Sequence, residues 1–223
     1  MKRIALNHLL AWKNTLKRKP LVIQGARQVG KTYLLKQFAT DHFTESYYLN
    51  FEENPRLKKI FAEELSPEII IQGIGLELKK EIKNKLENLI IFDEIQACPE
   101  ALTSLKYFCE KNLPIGICAA GSLLGIQLNK GSFPVGKVET ISLYPLTFRE
   151  FLEGTDEQML ADLINPKNDS LEISLLAHQK LWDKLKLYFI TGGLPEVVNV
   201  YNRTKENQFL AFNAVRKQQK EII

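Results

Sequence analysis

The sequence predicts an α/β fold: a mainly parallel sheet with a helical region behind it. Short apolar runs of strand length, Leu21–Ile23, Leu89–Phe92 and Ile115–Ala120, alternate with segments of helical periodicity. Continuous apolar runs suit strands buried on both faces, and parallel strands need crossover helices that cover those faces. After Tyr144-Pro145 the strand-length runs stop and helical patterns take over.

Along the chain, Met1–Pro20 carries Lys2, Arg3, Lys13, Lys17, Arg18 and Lys19 without an acidic residue, and reads as a helix with Leu6, Leu9, Leu10 and Leu16 on its inner face. Pro20–Gln24 is a buried-type strand that runs into glycines, followed by a helical pattern from Lys31 through Phe38. Tyr47–Phe51 reads as a second strand. Asn54–Glu64 reads as a helix with Pro55 in its first turn. Strands at Leu89–Asp93 and Ile115–Ala120 flank a helix from Glu100 to Lys111, and Val138–Leu143 is the fifth strand. Phe148–Glu153, Glu157–Leu163, Leu171–Tyr188 and Glu196–Ile223 are helical in pattern, with a linker at Asn165–Asp169. The organisation expected is a core over residues 1–145, including the basic helix, and a helical lid with the start of a C-terminal region over residues 146–223.

Composition narrows the function classes. The chain has 223 residues, 45% hydrophobic and 25% charged, which fits a packed globular protein rather than a disordered one. The longest apolar stretches fall far short of the roughly 18 to 20 residues of a membrane span. The basic start is broken by Asn7, His8, Lys13 and Asn14 and so makes no secretory apolar region; the expected location is the cytoplasm. Cys98, Cys109 and Cys118 are odd in number and lack paired spacing, as buried thiols would be. His8, His42 and His178 show no ligand spacing. The net charge of +4 is mild. The basic N-terminal stretch is read first as the solvated face of a helix and only second as a nucleic-acid surface.

The chemistry begins at Gly25-Ala26-Arg27-Gln28-Val29-Gly30-Lys31-Thr32, which satisfies G-x-x-x-x-G-K-[ST] between a buried strand and a helix. Glycines at Gly25 and Gly30 let backbone N–H groups turn inward and approach phosphate oxygens. The following helix adds its unpaired N–H groups and the positive end of its dipole. Lys31 then brings a full charge to the β- and γ-phosphates, and Thr32 a hydroxyl to Mg²⁺. Arg27 either neutralises phosphate or pairs with Glu52 or Glu53.

The strand Leu89–Asp93 delivers Asp93 and Glu94 at its C-terminal end, where ligands gather in open α/β sheets. Asp93 is the expected Walker B metal residue, acting through the water shell of Mg²⁺, while Glu94 orients and deprotonates the attacking water. Ser122, beyond another buried strand, is either a polar sensor of the γ-phosphate or a helix cap. Asn50, ending the second strand, is a candidate restraint on Glu94.

Seven segments together, Leu21–Thr32, Asn50–Pro55, Leu89–Pro99, Ala119–Leu124, Ser132–Val138, Leu143–Phe151 and Gly192–Val197, resemble the AAA+ P-loop ATPases of bacteria and archaea whose ATP-binding domain precedes an uncharacterised C-terminal domain. The resemblance covers nearly the whole chain. It implies a five-stranded sheet of order 5-1-4-3-2, a C-terminal helical lid holding Gly192-Gly193-Leu194-Pro195-Glu196, and ATP and Mg²⁺ as ligands. Members of that family run on well beyond this length, which implies a chain cut short inside a helix at Ile223. For a residue that reaches the γ-phosphate from a neighbouring subunit or the lid, the candidates are Lys137, Arg149, Arg203 and Arg216. Lys137 comes first because the family carries Lys or Arg between its fourth and fifth strands; as a point charge it acts less strongly than an arginine fork. Arg149 stands where the family varies.

The function expected is Mg-dependent ATP binding and hydrolysis that drives or regulates a partner domain, in a homo-oligomer or with a partner protein. The competing reading is a nucleotide-gated switch or scaffold with slow turnover. A small-molecule kinase is disfavoured, because the helical region holds no arginine-rich acceptor lid.

Overall fold

A computed structural model of the chain describes residues 1–122, 133–164, 172–206 and 208–222. By compactness the chain divides into two units, one comprising Ala5–Arg27 and Lys31–Leu143, the other Met1–Ile4, Gln28–Gly30 and Tyr144–Ile223.

In the larger unit, strands β1 (Leu21–Gln24), β2 (Glu45–Asn50), β3 (Asn88–Asp93), β4 (Gly116–Gly121) and β5 (Glu139–Ser142) form one sheet. Its order is β2-β3-β4-β1-β5 and each pairing is parallel. This is the order 5-1-4-3-2 read from the other edge. Every residue of β3 and β4 is buried, as central strands covered by helices require. The covering helices are α1 (Ala5–Lys13), α2 (Lys31–His42), α3 (Pro67–Leu78) and α4 (Pro99–Lys111). One core cluster unites Val22, Leu49, Ile90, Phe92 and Ile117 of the strands with Ile70, Ile74, Leu102, Leu105 and Phe108 of α3 and α4. Phe51, Phe61 and Phe92 meet within it at centroid separations of 5.5, 5.8 and 5.6 Å, tilted or edge to face as aromatic quadrupoles prefer.

Three local readings change. Asn54–Glu64 is a 3₁₀ helix, Pro55–Phe61, whose cap Asn54 accepts from the Arg56 N–H at 3.2 Å. Helix α3 was not expected, because Ile69-Ile70-Ile71 lacks a helical stripe and Gly73 and Gly75 weaken helix propensity. The inner face of α1 is Leu9 and Trp12, while Leu16 lies beyond the helix and is 97% exposed. Trp12 donates from Nε1 to the Lys19 carbonyl at 2.8 Å. A Cβ at Gly116 would lie 3.2 Å from Cη2 of that indole and 3.1 Å from Leu89 Cδ1, so a glycine in β4 admits the ring.

In the other unit, α5 (Phe148–Gly154), α6 (Gln158–Leu163), α7 (Leu175–Thr191), α8 (Pro195–Thr204) and α9 (Gln208–Ile222) are all helical, as the pattern predicts. The stretch read as helical in pattern from Glu196 to Ile223 forms two helices, α8 and α9. The linker read at Asn165–Asp169 lies outside the described residues. Leu146, Phe151, Leu152, Leu160, Leu181 and Val198 form this unit's core. A capping box starts α5: Thr147 Oγ1 accepts from the Glu150 N–H, and Glu150 Oε2 accepts from the Thr147 N–H. Among the described residues no helix is long and apolar enough to cross a membrane.

Candidate functional site

The glycine loop joins β1 to α2 as expected. The buried side chains of Leu21, Val22 and Ile23 anchor one end, and Leu34, Leu35 and Phe38 of α2 anchor the other. Between them Gln28 (φ 62°) and Gly30 (φ 91°) take left-handed backbone conformations. At Gly30 a side chain would strain the backbone, so the second glycine of the motif is required by local geometry. Lys31 begins α2 and is 5% exposed. Its ammonium donates to the carbonyls of Gly25 at 3.0 Å and Ala26 at 2.7 Å, so the long side chain folds back along the loop. Desolvation lowers its pKa below the ordinary lysine value, opposed by the negative fields of Glu94 and Asp93 and reinforced by Arg27.

At the end of β3, Asp93 is 1% exposed and fully engaged. Its Oδ2 accepts from the hydroxyls of Thr32 and Tyr48, each at 2.7 Å, and its Oδ1 accepts from the Glu94 N–H at 3.0 Å. Thr32 and Asp93 come from α2 and β3, so the fold brings together the two residues expected to face one metal ion. A hydroxyl and a carboxylate oxygen are hard donors of the kind Mg²⁺ takes alongside waters and phosphate, so this pair fits the ion. Tyr48 lies on β2, where Asn50 pairs in register with Asp93 and Tyr48 with Ile91. Burial, followed by the bond to Asp93, raises the pKa of the Tyr48 hydroxyl, which stays a proton donor. Lys36 places its ammonium 3.9 Å from the centroid of the Tyr48 ring.

Glu94 stands at φ 50°, ψ 45°, where β3 has ended and a 3₁₀ turn, Ile95–Ala97, begins. The left-handed residue breaks the strand's alternation and sets the two carboxylates in different surroundings. The Gln96 side-chain amide donates to Glu94 Oε2 and to Ser122 Oγ, the latter at 3.3 Å, so one glutamine bridges the glutamate and the serine. Ser122 is 2% exposed. Asn50 is placed elsewhere than expected. Its Oδ1 accepts from the N–H groups of Glu52 and Glu53, and its amide donates to the Tyr48 hydroxyl, because the chain turns directly after β2.

Of the basic candidates, Lys137 pairs with Glu110 at 3.1 Å and Arg149 with Glu153 at 3.1 Å, while Arg203 lies on α8 and Arg216 on α9. Among the described residues no ion pair joins Arg27 to Glu52 or Glu53.

Sequence reasoning missed Tyr48 and Gln96. Alternation along β2 sets Tyr48 on the same face as Asn50, a signal that was there to use. Gln96 lies in the 3₁₀ turn that follows left-handed Glu94, a conformation with no sequence marker, so its place depends on the folded chain.

With that geometry in view, a family model described as an AAA domain matches residues 17–152. Among curated proteins, uncharacterized protein MJ1544 of Methanocaldococcus jannaschii is 28% identical over 190 residues, covering 85% of this chain. The chain spans 38% of that relative's length. Among solved structures, the Walker-type ATPase PABY2304 of Pyrococcus abyssi aligns with 98% of this chain and 71% of its own, at 16% identity and a TM-score of 0.53. PCH-2 of C. elegans aligns with 96% of this chain and 66% of its own, at 15% identity and a TM-score of 0.51. At such identities these likenesses establish a shared fold.

Proposed function

The chain belongs to the AAA domain family, and on that premise we propose that it binds Mg-ATP at Gly25–Thr32 and hydrolyses the β-γ phosphoanhydride bond. The observation that carries the reading is the meeting of Thr32 and Asp93 at 2.7 Å beside a glycine loop with left-handed Gly30. In this proposal the loop amides from Gly25 to Thr32 and the N-terminus of α2 bind the phosphates. Lys31 exchanges the carbonyls of Gly25 and Ala26 for β- and γ-phosphate oxygens. Thr32 and Asp93 would hold Mg²⁺, which would supply charge neutralisation to the phosphates. Glu94 takes a proton from the attacking water and Gln96 orients its carboxylate. Ser122, linked to Gln96, senses the change at that carboxylate. Residues 1–145 act as the ATPase core and residues 146–223 as a helical lid, with turnover driving or regulating a partner protein, a further domain or a second copy of the chain.

A second reading, a slow nucleotide-gated switch, draws support from the ion pairs of Lys137 and Arg149 with acidic residues of their own chain. An arginine finger contributes roughly 10³ to 10⁵ in rate where one is present. Steady-state phosphate release separates the two. Hydrolysis predicts a wild-type rate that falls by roughly 10² to 10⁴ in Glu94→Gln. Indistinguishable low rates in the two proteins would favour the switch.

A further inference from the structure

Arg3 is a buried cation that the site described above does not use. Its side chain is 7% exposed, and so held it needs partners for its guanidinium donors. Nε donates to Glu150 Oε1 at 3.0 Å, Nη2 to the Tyr144 carbonyl at 2.6 Å, and Nη1 to the carbonyl of Val29 at 2.7 Å. Glu150, 4% exposed, also accepts from the Ile4 N–H at 2.8 Å and belongs to the capping box of α5. The guanidinium is therefore fixed on one side by a carboxylate that is itself fixed, and its two terminal nitrogens close on the carbonyls of Tyr144 and Val29.

Val29 is the residue before the second glycine of the loop. Among the described residues no peptide bond is cis, so the Val29 carbonyl and the Gly30 N–H point in opposite directions within one plane. A cation holding that carbonyl thereby aims the N–H away from itself. Gly30, at φ 91°, has the freedom to let this peptide rotate, and Arg3 removes that freedom. A Cβ at Gly30 would lie 3.7 Å from Arg3 Nη1 and 3.5 Å from Pro195 Cγ, so these groups also stand close to the loop backbone.

We propose that Arg3 is a positioning residue of the phosphate loop, holding the Val29–Gly30 peptide so that the Gly30 N–H is presented to phosphate. This rests on the loop being the nucleotide site. Lysine keeps the charge beside Glu150 but cannot span three acceptors from a single nitrogen.

The test is calorimetric titration of Mg-ATP into wild type, Arg3→Met, Arg3→Lys and Glu150→Gln, with a thermal melt of each. Arg3→Met is expected to weaken affinity roughly 10- to 100-fold, as loss of a charged hydrogen bond does, with Arg3→Lys between it and wild type. Glu150→Gln loosens the same buried cluster but leaves the guanidinium on Val29. It is expected to lower the melting midpoint while keeping affinity within about threefold of wild type. A structural role alone predicts that Glu150→Gln loses as much affinity as Arg3→Met, and that result overturns the proposal. So does wild-type affinity in Arg3→Met, or in Arg3→Lys should Arg3→Met fail to fold. Absence of binding by the wild type would instead remove the nucleotide reading of the loop and this inference with it.

Discussion

Asp93 and Glu94 are neighbours with different surroundings, so conservative substitutions at them have different consequences. Asp93 accepts three hydrogen bonds through two oxygens, and Asp93→Asn removes a negative charge and replaces either the acceptor that Thr32 and Tyr48 share or the one that serves the Glu94 N–H. Weaker magnesium-dependent ATP binding is expected, measured by titration with and without the ion. Glu94→Gln keeps the side chain's size and is expected to leave Mg-ATP binding intact by the same titration. Tyr48→Phe deletes one hydroxyl donor to a buried carboxylate, for about 1.5 kcal/mol or more of stability. In a chain of this size that is a fall of about 3 °C or more in the melting midpoint by differential scanning calorimetry. Lys31 gives a pH prediction with a definite sign. Burial lowers its folded pKa below the unfolded value, so the unfolded chain binds the proton more tightly. The resulting penalty is fully present at low pH and is relieved as pH rises through the folded pKa toward the ordinary lysine value. Lys31→Met is therefore expected to melt higher than wild type without nucleotide at pH 7, with the gap narrowing as pH approaches about 10.4. At this scale the sequence exposed the residues whose spacing is fixed by a motif, Gly25 to Thr32 and the Asp93-Glu94 pair. It did not expose Gln96, whose partners Glu94 and Ser122 are joined by turn geometry and by β3 and β4 lying side by side.

Elements read from apolar runs fared best, because a strand buried on both faces has little choice of composition. β1, β3 and β4 lie where Leu21–Ile23, Leu89–Phe92 and Ile115–Ala120 point, with ends that differ by a residue or so. Helix α3 escaped because its burial is carried by Pro67, Ile70 and Ile74, while Ile69 and Leu76 are exposed, so the apolar residues mark no single face. The break between α8 and α9 escaped because Thr204–Asn207 contains neither glycine nor proline. Packing between elements gives its own prediction. Gly116→Val brings side-chain atoms against Leu89 and Trp12, where a Cβ alone already stands at 3.1 and 3.2 Å. Overpacking of this kind costs about 1–3 kcal/mol, read as a lowered urea midpoint with an unchanged slope.

Across the whole molecule, the basic N-terminal segment is largely occupied with its own chain. Lys13 lies 5.3 Å from the Phe43 ring, Arg18 donates to the carbonyls of Leu86 and Pro114, Lys19 donates to Gly136, and Arg3 is buried against Glu150. Cations so engaged have less freedom to track a phosphate backbone. Fluorescence anisotropy with single- and double-stranded oligonucleotides at about 100 mM salt is expected to show no submicromolar binding. The sheet order followed from the resemblance carried by seven separated motifs and could not have come from any one strand, since order is a property of the assembled sheet. The proposed function requires that this sheet carry a nucleotide site at the end of β1. Calorimetric titration of Mg-ATP into the wild type and Lys31→Ala, each shown to be folded by circular dichroism, tests it most directly. Such a site predicts a saturable one-site isotherm for the wild type and none for Lys31→Ala. Equal affinity in the two folded proteins, or no binding by the wild type, would contradict it.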